Sequence, residues 1–118
     1  MSQEQYSAGT PPAYRMRESR VLRTIRDGKV ARVLKLNTND AKVAEIFAMA
    51  QPDAIWLCSE HCSGSYESME HQIRAAKIYD VDAIVRVSRG SYSDYIRPLE
   101  MDAAGLIVPH VMNLADAI

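Results

Sequence analysis

The chain alternates between short apolar runs and longer stretches with helical spacing. Residues 31–36, 54–59, 83–87 and 106–111 are the apolar runs, and their starts lie 23 to 29 residues apart. Most are continuously apolar rather than alternating, the pattern of strands covered on both faces. Each gap leaves room for a crossover helix, so successive strands are expected to be parallel. Val43, Phe47 and Ala50 repeat at helical spacing behind Asn39 or Asp40 as N-cap, and Met69, Ile73 and Ala76 do so behind Ser65. A third helix is expected to begin near Ser93 or Asp94 and to carry Ile96 and Leu99. Pro98 fits there only in a first turn, where its missing N–H costs nothing. A fourth helix is expected from Leu114. Ahead of the first strand, Val21, Leu22 and Ile25 share one helix face, and Asp27-Gly28 supplies the stop.

The pattern is α/β: an N-terminal helix and about four βα units, the last incomplete, over residues 14–118. Residues 1–13, rich in Ser, Gln, Gly and Pro, are expected to be a disordered tail. Four units are half of a (β/α)8 TIM barrel, which takes about 250 residues. Because the last helical pattern has no stop signal, a truncated barrel is the expected architecture. A complete four-stranded doubly wound sheet is the alternative.

Composition narrows the partners. With 47% hydrophobic residues, 25% charged residues and a net charge of -1, the chain has an ordinary globular balance and no bulk attraction for nucleic acid. No stretch approaches the roughly 18 to 20 apolar residues of a membrane span, and residues 1–12 lack a signal-peptide core. A cytoplasmic protein without nucleic-acid or membrane partners is expected. Arg15, Arg17, Arg20, Arg23 and Arg26 read as a solvated helix face. Cys58 and Cys62, one in a strand and one past its end, are poorly placed to bridge each other and complete no zinc set.

The chemistry concentrates where strands end. Residues 54–59 run into Glu60-His61, and Ala83-Ile84-Val85 delivers Arg86, so an acid, an imidazole and a guanidinium sit at the C-terminal ends of successive strands. Parallel α/β folds place their sites there. Imidazole is a side chain that moves protons near neutrality, and a carboxylate near His61 would fix its tautomer. A structural Glu beside a surface His is the plainer account. Arg86, in a strand, needs an anion beside it: a substrate carboxylate or a structural one. Glu100 is a candidate to orient His61, although a solvent-facing Glu is the simpler reading. His110, after Pro109, would line the same end or pack as a bonded imidazole. His71 reads as an exposed helix residue. Gly64, Gly90 and Gly105 form no phosphate loop or dinucleotide fingerprint.

Together these segments resemble the N-terminal half of the HpcH/HpaI family, the class II metal-dependent pyruvate aldolases related to the citrate lyase β subunit. The resemblance is carried by Val21-Leu22-Arg23 with Asp27-Gly28-Lys29, residues 54–61, Ile84-Val85-Arg86-Val87, Pro98-Leu99-Glu100 and residues 104–109. It implies an eightfold barrel assembled into a homo-oligomer, usually a hexamer. It also implies reversible cleavage of a 4-hydroxy-2-oxo acid to pyruvate and an aldehyde with Mg²⁺, Mn²⁺ or Co²⁺. By the same resemblance His61 and Glu100 match a catalytic dyad, with Glu100 standing where an Asp is usual. Arg86 matches the residue that binds pyruvate. Three departures accompany the likeness. Cys58 replaces an Asp common in the family, and Asp102 replaces a turn Gly. The family's two metal-binding carboxylates would follow Ile118, and Glu60, near the expected metal position, cannot replace them. The chain alone is therefore expected to be inactive. A non-catalytic half barrel that associates with another chain is the alternative.

Overall fold

The computed structural model describes residues 16–117. In order come α1 (Arg20–Arg26), β1 (Val33–Lys35), α2 (Ala41–Met49), β2 (Ala54–Cys58), α3 (Tyr66–Ile78), β3 (Asp82–Arg86), α4 (Tyr92–Glu100), β4 (Gly105–Ile107) and a 3-10 turn, Leu114–Asp116. The expected tail, 1–13, lies outside the described residues.

All strand pairings are parallel, and the sheet order is β1-β2-β3-β4. This order separates the two architectures. A doubly wound sheet reverses its direction of growth at a switch point. Here every unit adds its strand on the same side, and right-handed crossovers then put the helices on one face. The result is an arc of barrel wall: four βα units behind an N-terminal helix. The covered face buries Leu36, Ile55, Leu57, Ala83, Val85 and Val87 against Ala44, Ala48, Met69, Ile73 and Ala76 of the helices. Asp40 and Ser65 cap α2 and α3 through their side chains, as their positions ahead of the apolar stripes suggested.

The opposite face departs from the expectation of strands covered on both sides. It carries Val33 and Lys35, Ala54, Trp56 and Cys58, Asp82, Ile84 and Arg86, and Gly105 and Ile107, assigned by alternation and by the register. It is only partly covered, and Val33 is 41% exposed. The outer strands are also shorter than the apolar runs. β1 and β4 each have one neighbour, so their ladders stop early, and Pro109 has no N–H to extend β4. The expected fourth helix is a single 3-10 turn held by Asn113 and Asp116. α4 begins earlier than expected, after a Ser91–Asp94 capping box. Pro98 therefore lies inside the helix, not in its first turn. Its ring is buried, and its carbonyl accepts the Ala103 N–H at 3.0 Å.

The arginine-rich segment is only in part a solvated face: Arg26 is exposed, Arg17, Arg20 and Arg23 pair with acids at the N-terminal edge of the sheet, and Arg15 lies outside the described residues. Asp82 opens β3 with its side chain fully buried, and α1 hangs from it. Asp82 accepts from Arg17 Nη2 at 2.6 Å, Ser19 Oγ at 2.6 Å and the Val21 N–H at 2.9 Å. Asp80 pairs with Arg17 and Arg23, and Asp53 accepts from Thr24 Oγ1 and the Arg32 N–H, both at 2.8 Å. Burial pushes the Asp82 carboxyl up, but bonds from Ser19, Val21 and Arg17 outweigh it and hold it below the usual carboxylate range. The expected apolar face of α1 contributes little: Leu22 and Ile25 are 48% and 55% exposed. Asp102 keeps the glycine-like turn before β4 in the left-handed region, φ +70°, at a modest conformational cost.

Candidate active site

β2 and β3 are paired in register with Cys58 opposite Arg86, so both side chains leave the uncovered face at the C-terminal strand ends. The chain then turns, and Glu60 folds back over this pair. Its Oε2 lies 3.1 Å from Arg86 Nε and 3.4 Å from His61 Nε2, while Oε1 lies 3.1 Å from His110 Nε2. Glu60 is 12% exposed and His61 is 65% exposed. The adjacent pair has thus divided its tasks: Glu60 braces the cluster and His61 faces the opening.

Arg86 has the structural partners that its strand position demanded. Its Nε and Nη2 donate to Cys58 Sγ at 3.3 and 3.1 Å, and its guanidinium lies 5.0 Å from the Trp56 ring centroid. Nη1 makes no hydrogen bond or ion pair among the described residues. The guanidinium is therefore aimed by a sulfur, a carboxylate and an aromatic face, with one nitrogen left for a ligand.

Cys58 was visible in the sequence only as a departure from the family's Asp. In the structure it accepts hydrogen bonds as a carboxylate would, from Arg86 and from the His61 N–H at 3.3 Å. Burial pushes its thiol up, but the His61 amide and the Arg86 guanidinium prevail and place its pKa below the ordinary thiol value. In a Cys62→Ser background, the pH midpoint of Cys58 alkylation is expected below the ordinary range of about 8.5. Arg86→Met is expected to raise it. A midpoint unmoved by that substitution would show that the sulfur does not depend on the guanidinium.

Glu100 is not brought to His61 within the chain. It ends α4 in the helix layer and shares a surface cleft with Tyr66, Glu67, Glu70 and Arg97. The sheet stands between that layer and the uncovered face, so the carboxylate beside His61 is Glu60. His110 is the residue that sequence reasoning weighted too lightly. It has φ +57°, and its ring reaches Glu60 across 50 residues of sequence. Only Pro109 before it hinted that the strand stops there. His71 lies in α3 and is exposed, as expected.

The described residues do not fit a metal centre. No three or more His, Cys, Asp or Glu side chains among them converge as cation donors. Glu60 already spends both oxygens on Arg86, His61 and His110.

No family model matches the chain. It is 29% identical over 87 residues to 2-keto-3-deoxy-L-rhamnonate aldolase from Escherichia coli O17:K52:H18, covering 74% of this chain and 33% of that enzyme. Among solved structures, citrate synthase SbnG superposes with a TM-score of 0.73 at 31% identity, covering 77% of this chain and 37% of that one. An HpcH/HpaI aldolase/citrate lyase family protein from Burkholderia cenocepacia J2315 superposes with a TM-score of 0.74 at 25% identity, covering 85% and 40%. The chain is a relative of the HpcH/HpaI aldolases. It spans about a third of the length of the curated relatives it matches. The arc of four βα units thus corresponds to part of a TIM-barrel-like aldolase fold. No helix among the described residues is long and apolar enough to cross a membrane.

Proposed function

We propose that this chain carries the base and the pyruvate clamp of a retro-aldol site acting on a 4-hydroxy-2-oxo acid. The carrying observation is the cluster at the ends of β2 and β3. An open imidazole, His61, and an oriented guanidinium, Arg86, share the Glu60 carboxylate. In the cleavage, the C4 hydroxyl gives its proton to a base and the C3–C4 bond breaks. The bonding pair enters the 2-oxo acid as an enolate, and the aldehyde departs. Protonation at C3 then yields pyruvate. His61 is positioned to take the hydroxyl proton and return it to C3, and Arg86 to hold the carboxylate and balance the enolate charge. The dyad suggested by the resemblance is replaced within this chain by Glu60 and His61. Glu100 keeps a role only if another chain presents it. The intact enzyme is proposed to be a cytoplasmic homo-oligomer.

The family's divalent metal would need donors besides Glu60, so the chain alone is expected to show no turnover. The test is cleavage of a 4-hydroxy-2-oxo acid by the chain alone and by a barrel in which it replaces the matching segment of the rhamnonate aldolase. Robust Mn²⁺-dependent cleavage by the chain alone would overturn the expectation of inactivity. An inert but folded barrel would overturn the site assignment.

A second reading, a non-catalytic half barrel that pairs with another chain, is favoured by the open edges of β1 and β4 and by the partly bare inner face. The aldolase reading accounts for more, because pairing alone gives no reason for the Glu60 cluster.

A further inference from the structure

The retro-aldol site uses Arg86 and His61 but gives no role to the sulfur beside them. Cys58 ends β2 opposite Arg86, and its Sγ accepts from Arg86 Nε at 3.3 Å, Arg86 Nη2 at 3.1 Å and the His61 N–H at 3.3 Å. A neutral thiol is a weak acceptor, so three converging donors, two of them on one cation, suit the thiolate. The lowered pKa of Cys58 has the same origin. The guanidinium also pairs with Glu60, whose Oε2 lies 3.1 Å from Nε, so it bridges a sulfur and a carboxylate.

Cys62 supplies the contrast within the same chain. It is less buried than Cys58. Its hydrogen bond is to Asn37 Oδ1 at 3.8 Å, and no cation among the described residues donates to it. Exposure therefore favours oxidation at Cys62, and charge favours it at Cys58, because the thiolate is the form that attacks an oxidant. Cys58 is 5% exposed. That shields it from bulky reagents more than from hydrogen peroxide, a molecule little larger than water.

We propose that Cys58 is a modification site for peroxide: its thiolate is oxidised to a sulfenic acid in preference to Cys62, and the oxygen it gains binds Arg86. Sγ attacks one oxygen of hydrogen peroxide and forms the S–O bond. The O–O bond breaks, and the second oxygen leaves as hydroxide, which takes a proton from solvent to become water. Sulfur gives up two electrons and the peroxide accepts them. The added oxygen is a better acceptor than sulfur and draws on the guanidinium that an anionic ligand would use. The proposal stands apart from the retro-aldol reading, since it needs only the sulfur and its donors.

The test is peroxide oxidation of two single-cysteine chains, Cys62→Ser and Cys58→Ser, each folded and in urea at pH 7. Timed samples are quenched into urea with dimedone, which marks sulfenic acid, and are read by mass spectrometry. An ordinary thiol is about 3% ionised at pH 7, so full ionisation offers about 30-fold, and the weaker nucleophilicity of an acidic thiolate cuts this to about ten-fold. Cys58 is therefore expected to react about ten-fold faster folded than in urea, and faster than folded Cys62. Its folded rate should also level off at a lower pH than its rate in urea. Arg86→Met is expected to remove most of the gain, and where that variant fails to fold the pH profile of Cys62→Ser decides. The Arg86 Nε–H NMR signal, assigned by its loss in Arg86→Lys, is expected to shift on oxidation and to return with dithiothreitol. A folded rate no greater than the rate in urea, a faster Cys62, or parallel pH profiles would overturn the inference. So would a folded Arg86→Met chain that keeps the gain, or an Arg86 signal that oxidation leaves in place.

Discussion

Asp82→Ala is expected to lower the unfolding free energy by about 3 kcal/mol, within the range for removing one partner of a buried charge pair. For a domain of this size that is a fall in Tm of roughly 15 °C. The loss is large because one fully buried carboxylate serves three donors, Arg17, Ser19 and the Val21 N–H. Removing it leaves the Arg17 guanidinium without its shortest partner and frees α1, which has no buried residue of its own to hold it. Asp82→Asn keeps the shape but not the charge, and it should lose less. The same carboxylates set the response to acid. Asp53, Asp80 and Asp82 are all held below their ordinary values, so each stabilises the fold above the unfolded-state pKa of about 4. That contribution disappears as the pH falls through the folded values. Denaturant melts of Asp82→Ala and wild type at pH 7 and at about pH 2, below the carboxylate range, check both statements. Near-identical midpoints at pH 7 would show that α1 is held by something else.

In the barrel-completed enzyme, His61→Ala and Arg86→Ala are each expected to lower kcat/KM for retro-aldol cleavage by about 10²- to 10³-fold. The two losses should differ in kind. His61 handles a proton only during reaction, so its removal should fall mainly on kcat. Arg86 holds the carboxylate in substrate and transition state alike, so its removal should raise KM as well. Arg86→Lys should not rescue, because a point charge cannot reproduce the bonds to Cys58 and Glu60 while keeping a nitrogen free. Steady-state kinetics on the three variants decide the matter. Near wild-type rates for both alanine variants would remove His61 and Arg86 from the site.

Much of the scaffold was legible in the sequence because local rules write it plainly. Asp40 and Ser65 sit immediately before apolar stripes and cap the helices that follow. Residues 54–58 and 83–85 are continuously apolar, and each of these strands has a neighbour on both sides. Edge strands carry a weaker signal. The runs at 31–36 and 106–111 look equally strand-like, yet their ladders are short because only one side is paired. The arginines in and just before α1 looked like a solvated face because their partners, Asp53, Asp80 and Asp82, lie 33 to 65 residues away.

The Glu60-His61 strand end and the Arg86 strand end were set by the sequence alone. The residue types and the abrupt end of each apolar run are local properties. Their assembly was not local. In-register pairing of β2 with β3 brings Cys58 against Arg86, and the return of the chain after β4 brings His110 to Glu60. The tertiary structure also set Glu60 beside His61, while Glu100 lies in a helix-layer cleft with Tyr66, Glu67, Glu70 and Arg97. It joined Lys35 and Arg86 around Trp56, since neighbouring strands align residues that sequence distance keeps apart.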